Sequence, residues 1–293
     1  MMRGWACCLV WFWCSWALAA PVQAQACENP RALHVALIPQ RDMATLLMQY
    51  RPLMQALSVA LGRPVDAVPA SSYGAVIEGL LSGAVDLAEL GPASYAIAMS
   101  RGADIEPIAT FRLRTGFLTR QPNGYRSVLI TLHGDRPKTL ASLRGATLSL
   151  TDPASTSGAV LPRQAMRQQL GMSIESYFSR VTYAGSHARA LEALRAGAVD
   201  AAFVASTVVD DEIRRGRWRA DDIDVLWQSS PIPYDPFVIR RTLCPDVQRK
   251  ILQVFSGNTA SLQKMFSELG MEGFASVSAS DYQAIRALYP DRP

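Results

Sequence analysis

Two stretches of the chain share one pattern: EGLLSGAVDLAEL at residues 78–90 and EALRAGAVDAAFV at residues 192–204. Identical residues recur at an offset of 114, namely Glu78/Glu192, Leu80/Leu194, Gly83/Gly197, Ala84/Ala198, Val85/Val199, Asp86/Asp200 and Ala88/Ala202. Each copy is typical of the end of a helix, a glycine that terminates it, and a buried strand. The repeat therefore predicts two similar α/β lobes, although unrelated helix–glycine–strand junctions can also converge on such residues.

The same alternation extends outward from the first copy. It predicts buried strands over residues 33–38, 65–68, 85–90 and 144–151, and helices over residues 43–61 and 72–83. Pro39 ends the first strand, and Ser71 and Ser72 supply the cap of the second helix. After residue 245 the pattern is helical, with no strand signal. Strands that alternate with helices predict an α/β fold with parallel sheets.

Composition excludes several classes of protein. The chain has 293 residues, of which 49% are apolar, enough for a packed core and too many for a disordered or fibrous protein. It carries 29 Lys and Arg against 25 Asp and Glu, with no basic cluster among aromatic residues. This balance gives no support for a nucleic-acid partner.

The first 26 residues have the pattern of a secretory signal peptide. A charged start at Arg3 precedes an apolar run from Trp5 to Ala20, followed by Pro21 and the sequence Ala24-Gln25-Ala26. We expect cleavage after Ala26 and export of the rest. Two alternatives stay open: a retained membrane anchor, and a lipid anchor on Cys27, although Ala24 stands where a lipoprotein signal would place Leu.

Export would leave two cysteines, Cys27 and Cys244. In an oxidising compartment we expect them to form one disulfide. The alternatives are two unpaired thiols or a lipidated Cys27. Neither cysteine has the spacing of a zinc ligand, and the sequence implies no metal and no cofactor.

Extending the repeat backwards places Ser71-Ser72-Tyr73 opposite Gly185-Ser186-His187. Both triplets follow a predicted strand and begin a helix, and open parallel sheets bind ligands at this edge. We therefore expect Tyr73 and His187 to face each other across a cleft between the lobes. The alternative is structural: serines at helix starts are often simple caps, and a lone histidine or tyrosine is often a packing residue.

A second predicted helix start lies at residues 152–158, Asp-Pro-Ala-Ser-Thr-Ser-Gly. The hydroxyls of Ser155, Thr156 and Ser157, with free backbone N–H groups and the positive end of a helix dipole, suit an anion. The stretch contains no Lys and no P-loop motif, which argues against a nucleotide site.

These residues resemble the periplasmic phosphate/phosphite/phosphonate-binding proteins of ABC transporters. The matching stretches are Val-x-Leu-Ile-Pro at 35–39, Tyr50-Arg51-Pro52-Leu53, Ser72-Tyr73 through Glu78, Val85-Asp86-Leu87-Ala88, Leu90-Gly91-Pro92 with Ser94-Tyr95, Gly124-Tyr125-x-Ser127-Val128-Leu129-Ile130, Asp152-Pro153-x-Ser155-Thr156-Ser157-Gly158, Ala184-Gly185-Ser186-His187 and Ser230-Pro231-Ile232-Pro233-x-Asp235-Pro236. They follow the family order over nearly the whole exported chain.

The resemblance implies a two-lobed type II periplasmic binding protein fold, with two crossover segments near 120–131 and 228–240 and a ligand cleft between the lobes. The lobes would comprise residues 27–125 with 236–293, and residues 126–235. The ligand-binding residues implied are Ser155, Thr156, Ser157 and His187 around the anion, Tyr73 and Tyr125 closing over it, Asp235 lining the cleft, and Tyr95 at a position that varies.

The expected function is capture of a small phosphorus oxyanion in the periplasm and delivery to an ABC permease by a monomer. Residues 205–207 lack the acid with which aminoalkylphosphonate-binding relatives hold the amine, and this favours phosphate, phosphite or an alkylphosphonate.

Two alternative functions stay open. A Ser155–His187–Asp235 triad would make the protein a hydrolase, although no nucleophile elbow is present. A sensor of the same fold would report the ligand to a membrane partner.

Overall fold

Two separate sheets organise the chain into two α/β lobes. The structure is a computed structural model and describes residues 27–120, 124–134 and 139–289. The predicted signal peptide, residues 1–26, lies outside the described residues. Within those described ranges, no helix is both long and apolar enough to cross a membrane.

The first sheet has six strands: β1 (Leu33–Leu37), β2 (Val65–Ala67), β3 (Leu87–Glu89), β4 (Ile105–Leu113), β10 (Pro236–Arg240) and β11 (Met271–Ala275). Their order across the sheet is β11-β4-β10-β3-β1-β2. β1 pairs in parallel with β2 and β3, whereas β10 runs antiparallel between β3 and β4. The first lobe is therefore completed only when the chain returns from the second.

The second sheet has five strands: β5 (Ser127–Leu132), β6 (Thr147–Leu150), β7 (Arg180–Tyr183), β8 (Ala201–Ala205) and β9 (Ile223–Gln228). Their order is β7-β6-β8-β5-β9. β6 pairs in parallel with β7 and β8, and β5 runs antiparallel to β8 and β9. Each lobe thus has parallel strands whose carboxyl ends share one edge, the edge at which such sheets bind ligands.

Ten helices of the described chain cover both faces of each sheet. They are α1 (Met43–Leu61), α2 (Tyr73–Ser82), α3 (Pro92–Ser100), α4 (Leu161–Leu170), α5 (Ile174–Tyr177), α6 (His187–Arg195), α7 (Ser206–Arg214), α8 (Pro245–Ser256), α9 (Ala260–Leu269) and α10 (Gln283–Arg286). In the first lobe α1, α8 and α9 bury apolar side chains on one face, and α2 and α3 on the other. In the second, α6 and α7 oppose α4 and α5.

The internal repeat is confirmed as a structural repeat. Tyr73 and His187 are the first residues of α2 and α6, and in both helices the preceding serine accepts a hydrogen bond from the N–H group three residues later. α2 leads through Gly83 into β3, and α6 leads through Gly197 into β8. Both glycines have positive φ, at 76° and 67°, a left-handed conformation that favours glycine over residues with a Cβ.

The four predicted strands and two predicted helices are confirmed within a few residues at each end. The prediction that the chain is wholly helical after residue 245 is wrong, since β11 pairs there with β4. Its sequence, Met-Glu-Gly-Phe-Ala, has a central glycine and little strand propensity. Phe274 instead fixes this edge strand by stacking on Phe111, with ring centroids 5.0 Å apart.

The two lobes are joined where the outgoing and returning chains run side by side. Tyr125 and Ile232 exchange both backbone hydrogen bonds, at 3.0 and 2.7 Å. Two residues later, the Ser229 N–H donates to the Ser127 carbonyl at 2.9 Å, and the Ser127 N–H donates to Ser229 Oγ at 3.0 Å. This paired connection sets Tyr125 and Asp235 beside the cleft.

A disulfide joins Cys27 to Cys244 across 217 residues of sequence, with the two Cα atoms 4.7 Å apart. The Glu28 N–H donates to the Thr242 carbonyl at 2.7 Å, and the Cys244 N–H donates to the Glu28 carbonyl at 2.8 Å. The bridge and these bonds fasten the first described residues to the start of α8.

Candidate ligand-binding site

A polar helix start in the second lobe lies at the centre of the site. β6 ends at Leu150, and Ser155 caps a π-helical turn over Thr156–Val160 that continues into α4. Ser155 Oγ accepts the Gly158 N–H at 3.1 Å. The N–H groups of Thr156 and Ser157, in the first turn, have no acceptor inside the helix. Three hydroxyls and two such N–H groups therefore converge at the positive end of this helix. We call residues 152–158 the polar turn.

His187 lies against this turn from the neighbouring α6. Its Nδ1 accepts the Ala205 N–H at 3.2 Å and lies 2.9 Å from Thr151 Oγ1. An Nδ1 that accepts from a backbone N–H carries no proton, so the neutral ring holds its proton on Nε2. Nε2 lies 3.4 Å from Ser155 Oγ. Burial lowers the pKa of His187 to about 3, which keeps the ring neutral near pH 7. His187 is thus an uncharged donor aimed at the polar turn.

The first lobe contributes one tyrosine to the site, and the hinge, the paired connection of residues 125–127 with 229–232, contributes another. Tyr73 is 1% exposed, and its hydroxyl is buried without a well-formed hydrogen bond among the described residues. Burial raises the pKa of Tyr73 well above its ordinary value, and Asp235 and Asp152 raise it further. The Tyr125 hydroxyl donates to Asp235 Oδ1 at 3.2 Å. Both phenols therefore stay protonated and can donate.

Two buried carboxyl groups lie beside these donors. Asp235 accepts from the Gln40 side chain at 2.9 Å as well as from Tyr125. Glu89, the last residue of β3, accepts from the Tyr50 hydroxyl at 2.7 Å. Burial raises the pKa of Glu89 to about 7. Burial, reinforced by the charge of Glu89, raises the pKa of Asp235 well above its ordinary value. A carboxyl that holds its proton can face an anion without repelling it.

Direct hydrogen bonds close the lobes over the polar turn. The Tyr73 N–H donates to Asp152 Oδ2 at 3.3 Å, and the Ala93 N–H donates to Thr156 Oγ1 at 2.8 Å. Ser94 Oγ donates to the Ala154 carbonyl at 2.9 Å. Because the starts of α2 and α3 in the first lobe bond to residues 152–156 of the second, the site lies at an interface between the lobes.

The structure brings together seven of the eight residues implied as ligand-binding: Tyr73, Tyr125, Ser155, Thr156, Ser157, His187 and Asp235. It does not bring Tyr95 to them. Tyr95 is fully buried in the first lobe and packs edge-on against Tyr282, with ring centroids 5.5 Å apart.

A family model matches most of this chain. The model describes the periplasmic substrate-binding proteins of phosphonate ABC transporters, and it matches residues 35–282. This chain belongs to that family. The phosphonates-binding periplasmic protein of Escherichia coli is 30% identical over 278 residues, which is 92% of this chain and 79% of that protein. The phosphate-import protein PhnD of Mycolicibacterium smegmatis is 28% identical over 278 residues, 88% and 84% of the two chains.

Solved structures of family members share the two-lobed fold. A binding protein component of an ABC phosphonate transporter from Pseudomonas aeruginosa has a TM-score of 0.78 at 24% identity, over 89% of this chain and 86% of that one. PhnD1 from Prochlorococcus marinus, solved with methylphosphonate, has a TM-score of 0.74 at 18% identity, over 89% and 97% of the two chains. These likenesses confirm the predicted fold.

Sequence reasoning missed Glu89, Gln40 and Thr151. A signal for Glu89 lies within the repeat itself: its counterpart at the offset of 114 is Phe203, so a carboxyl occupies a strand position that is apolar in the other lobe. Residues 205–207, which lack an acid for an amine, lie in the second lobe, and Glu89 provides a carboxyl from the first. No group of three or more His, Cys, Asp or Glu side chains within the described ranges is arranged to hold a metal ion.

The polar turn has no room for a side chain at Gly158. A Cβ there would lie 2.2 Å from Thr151 Oγ1 and 2.3 Å from Thr151 Cβ. We expect Gly158→Ala to lower the free energy of unfolding by about 1–3 kcal/mol through overpacking, measured by urea denaturation. The control is Gly74→Ala in α2, where the Cβ would meet only Ser72 Oγ, at 3.7 Å. Equal stability of the two variants would contradict this account of the turn.

The raised pKa of Glu89 makes stability depend on pH. The folded protein keeps the Glu89 proton up to about pH 7, whereas the unfolded chain releases it near 4.5. The protonated Glu89 carboxyl therefore contributes fully to the stability of the folded protein below about pH 4.5. This contribution is lost as pH rises through 7. We expect wild type to lose about 2–3 kcal/mol more than Glu89→Gln between pH 4.5 and 8, from urea midpoints. The exposed Glu272→Gln is the control. Parallel pH profiles of wild type and Glu89→Gln would show that Glu89 titrates normally.

Proposed function

We propose that this chain captures a small phosphorus oxyanion, namely phosphate, phosphite or an alkylphosphonate, between its lobes and delivers it to an ABC permease. The main support for this proposal is that uncharged donors from both lobes and the hinge meet at one buried helix start. The named relatives import phosphate or bind phosphonates, and one neighbour in structure binds methylphosphonate. We assign the lobes to residues 27–125 with 236–293 and to residues 126–235.

The chemistry of the donors supports a tetrahedral oxyanion. Such an ion has acceptor lone pairs in several directions, and the donors approach it from α4, α6, α2 and the hinge. His187, Tyr73 and Tyr125 all hold protons without carrying a charge near neutral pH. Neutral donors let the protein release what it binds, as a transport receptor must.

The site geometry favours binding over hydrolysis. Asp235 bonds to Gln40 and Tyr125, and His187 Nδ1 is taken by the Ala205 N–H and Thr151. No carboxylate of the described residues orients the imidazole, as a Ser155–His187–Asp235 triad would require. We therefore propose that the protein is a receptor without catalytic activity.

We also propose that the mature protein is exported to the periplasm and begins at Cys27. The disulfide from Cys27 to Cys244 fits an oxidising compartment and takes up the sulfur that a lipid anchor would need. The intact mass of the protein recovered from the periplasm tests this. A chain starting at Cys27 with two fewer hydrogens than its reduced form supports the proposal, and an acylated or uncleaved chain contradicts it.

Calorimetric titration tests the ligand class directly. Phosphate, phosphite, methylphosphonate and 2-aminoethylphosphonate are titrated into the purified mature protein, with acetate as the planar control anion. We expect at least one of the first three to bind at a single site, and acetate not to bind. If none of the phosphorus anions binds to the folded protein, the proposal is refuted. If 2-aminoethylphosphonate binds most tightly, the preference for phosphate, phosphite or an alkylphosphonate over aminoalkylphosphonates is refuted.

A further inference from the structure

The hydroxyls of the polar turn are almost closed to solvent. Ser155 and Ser157 are 1% exposed, and Thr156 is 2% exposed. An anion can reach these hydroxyls only if the lobes separate, because residues of the first lobe bond directly to the turn. Contacts that bridge the lobes are therefore broken when the site opens and form again when it closes.

One of these bridging contacts is an ion pair. Arg41 lies between β1 and α1 in the first lobe, and its Nη1 atom is 2.9 Å from Asp211 Oδ2 of α7 in the second. Both side chains are mostly buried, with exposed fractions of 20% and 9%. Salt and water screen such a pair less than they screen a pair on the surface. The pair therefore favours the closed arrangement of the lobes.

Asp211 remains paired when Arg41 leaves it. Arg214 and Arg215 lie one turn further along α7, and both also pair with Asp211. Removing one partner of a buried ion pair is costly where the other charge is left alone. Here the carboxylate keeps two arginines of its own helix, and separation of the lobes gives the Arg41 guanidinium to water. The ion pair can therefore form and break without leaving a buried charge unpaired.

Two weaker polar contacts accompany the ion pair. The Ala188 N–H, in the first turn of α6, donates to the Gln40 carbonyl of the first lobe at 3.4 Å. On α7, Arg214 Nη2 donates to the Glu268 carbonyl of the first lobe, also at 3.4 Å. Both of these hydrogen bonds are long, and long hydrogen bonds are weak. Of the three contacts, the ion pair of Arg41 has the best geometry.

We propose that Arg41 and Asp211 form a latch that holds the lobes closed, and that they are positioning residues for the ligand without contacting it. The latch stabilises the closed form only. It therefore strengthens the binding of any ligand that is held between closed lobes, by the factor by which it favours closure. This consequence for binding rests on the proposed function, whereas the latch itself does not.

The test must separate a latch from direct binding of the anion by Arg41. Burial is the main reason that the pKa of His187 is lowered to about 3, and the charge of Arg41 lowers it further. The guanidinium is therefore close enough to the donors to attract an anion. The two roles predict opposite effects at Asp211. Loss of its charge would weaken a latch, whereas it would release Arg41 to an anion that Arg41 binds directly.

Hydrogen exchange of a backbone amide measures the latch without a ligand. The Ala93 N–H, in the first turn of α3, donates to Thr156 Oγ1 of the other lobe at 2.8 Å, so it exchanges when the lobes part. We expect Arg41→Gln to raise its exchange rate about three- to tenfold, between the effects of losing a surface pair and a buried one. Arg41→Lys should keep most of the wild-type rate, because an ammonium group can also pair with Asp211. Arg101→Gln, which breaks an ion pair within the first lobe, is the matched control. Equal exchange rates in wild type and Arg41→Gln would overturn the latch.

Calorimetric titration of phosphate, phosphite and methylphosphonate measures the consequence for binding. For each anion that binds wild type, Arg41→Gln and Asp211→Asn should each weaken binding about three- to tenfold. The double variant should bind no more weakly than the weaker single variant, because both changes remove the same interaction. If Asp211→Asn tightens binding, or if either single variant leaves it unchanged, the positioning role is refuted. If none of the three anions binds wild type, the proposed function is wrong, and the exchange rate of the Ala93 amide still decides whether the latch exists.

Discussion

His187→Asn is expected to weaken binding of the phosphorus oxyanion about ten- to hundredfold. The Asn amide oxygen can occupy the place of Nδ1 and accept the Ala205 N–H, which Nδ1 accepts at 3.2 Å. What is lost is the Nε2 proton beside Ser155. A hydrogen bond to a charged group contributes about 1.5–3 kcal/mol, and about 1.4 kcal/mol corresponds to tenfold in affinity.

The matched variant is His187→Gln, whose amide nitrogen can reach the Nε2 position. We expect it to keep most of the affinity that His187→Asn loses, in calorimetric titrations at pH 7 with the best ligand of the panel. His133→Ala, on an exposed histidine paired with Asp224, controls for loss of a histidine elsewhere in the second lobe. If Asn and Gln at position 187 bind equally well, the donor role assigned to Nε2 is incorrect.

The second large effect is on stability. Replacing both Cys27 and Cys244 by Ala should lower the free energy of unfolding by about 2–5 kcal/mol, because the bridge closes a loop of 217 residues in the unfolded chain. Urea denaturation of oxidised wild type and of the double variant measures the difference. Excess dithiothreitol should bring wild type to the level of the variant and leave the variant unchanged. A difference below about 0.5 kcal/mol would contradict a structural role for the bridge.

The sequence repeat predicts the parts of the site that depend on local rules. A glycine-terminated helix, a buried strand and a serine cap recur in both lobes, so the equivalence of Tyr73 and His187 follows from helix starts at the same sheet edge. The hydroxyls of residues 155–157 are identified in the same way. Such features depend on short-range hydrogen bonding and periodicity, which a single sequence retains.

The remaining features depend on contacts between distant segments. Glu89 faces the site because β10 returns from the second lobe and pairs with β3, placing Asp235 beside it. Asp210 and Asp211, the acids nearest to residues 205–207, are engaged by backbone amides of 118–119 and by arginines. Neither the pairing of β10 nor the burial that lowers the pKa of His187 to about 3 can be deduced from periodicity.

A crystal structure of the mature protein with methylphosphonate would show directly whether the lobes hold the anion as proposed. We expect the three phosphonate oxygens within hydrogen-bond distance of the hydroxyls and N–H groups of residues 155–157 and of His187 Nε2, with the methyl group directed toward Glu89. Methylphosphonate bound outside the interlobe cleft, or bound in it without contact to residues 155–157, would refute the proposed site.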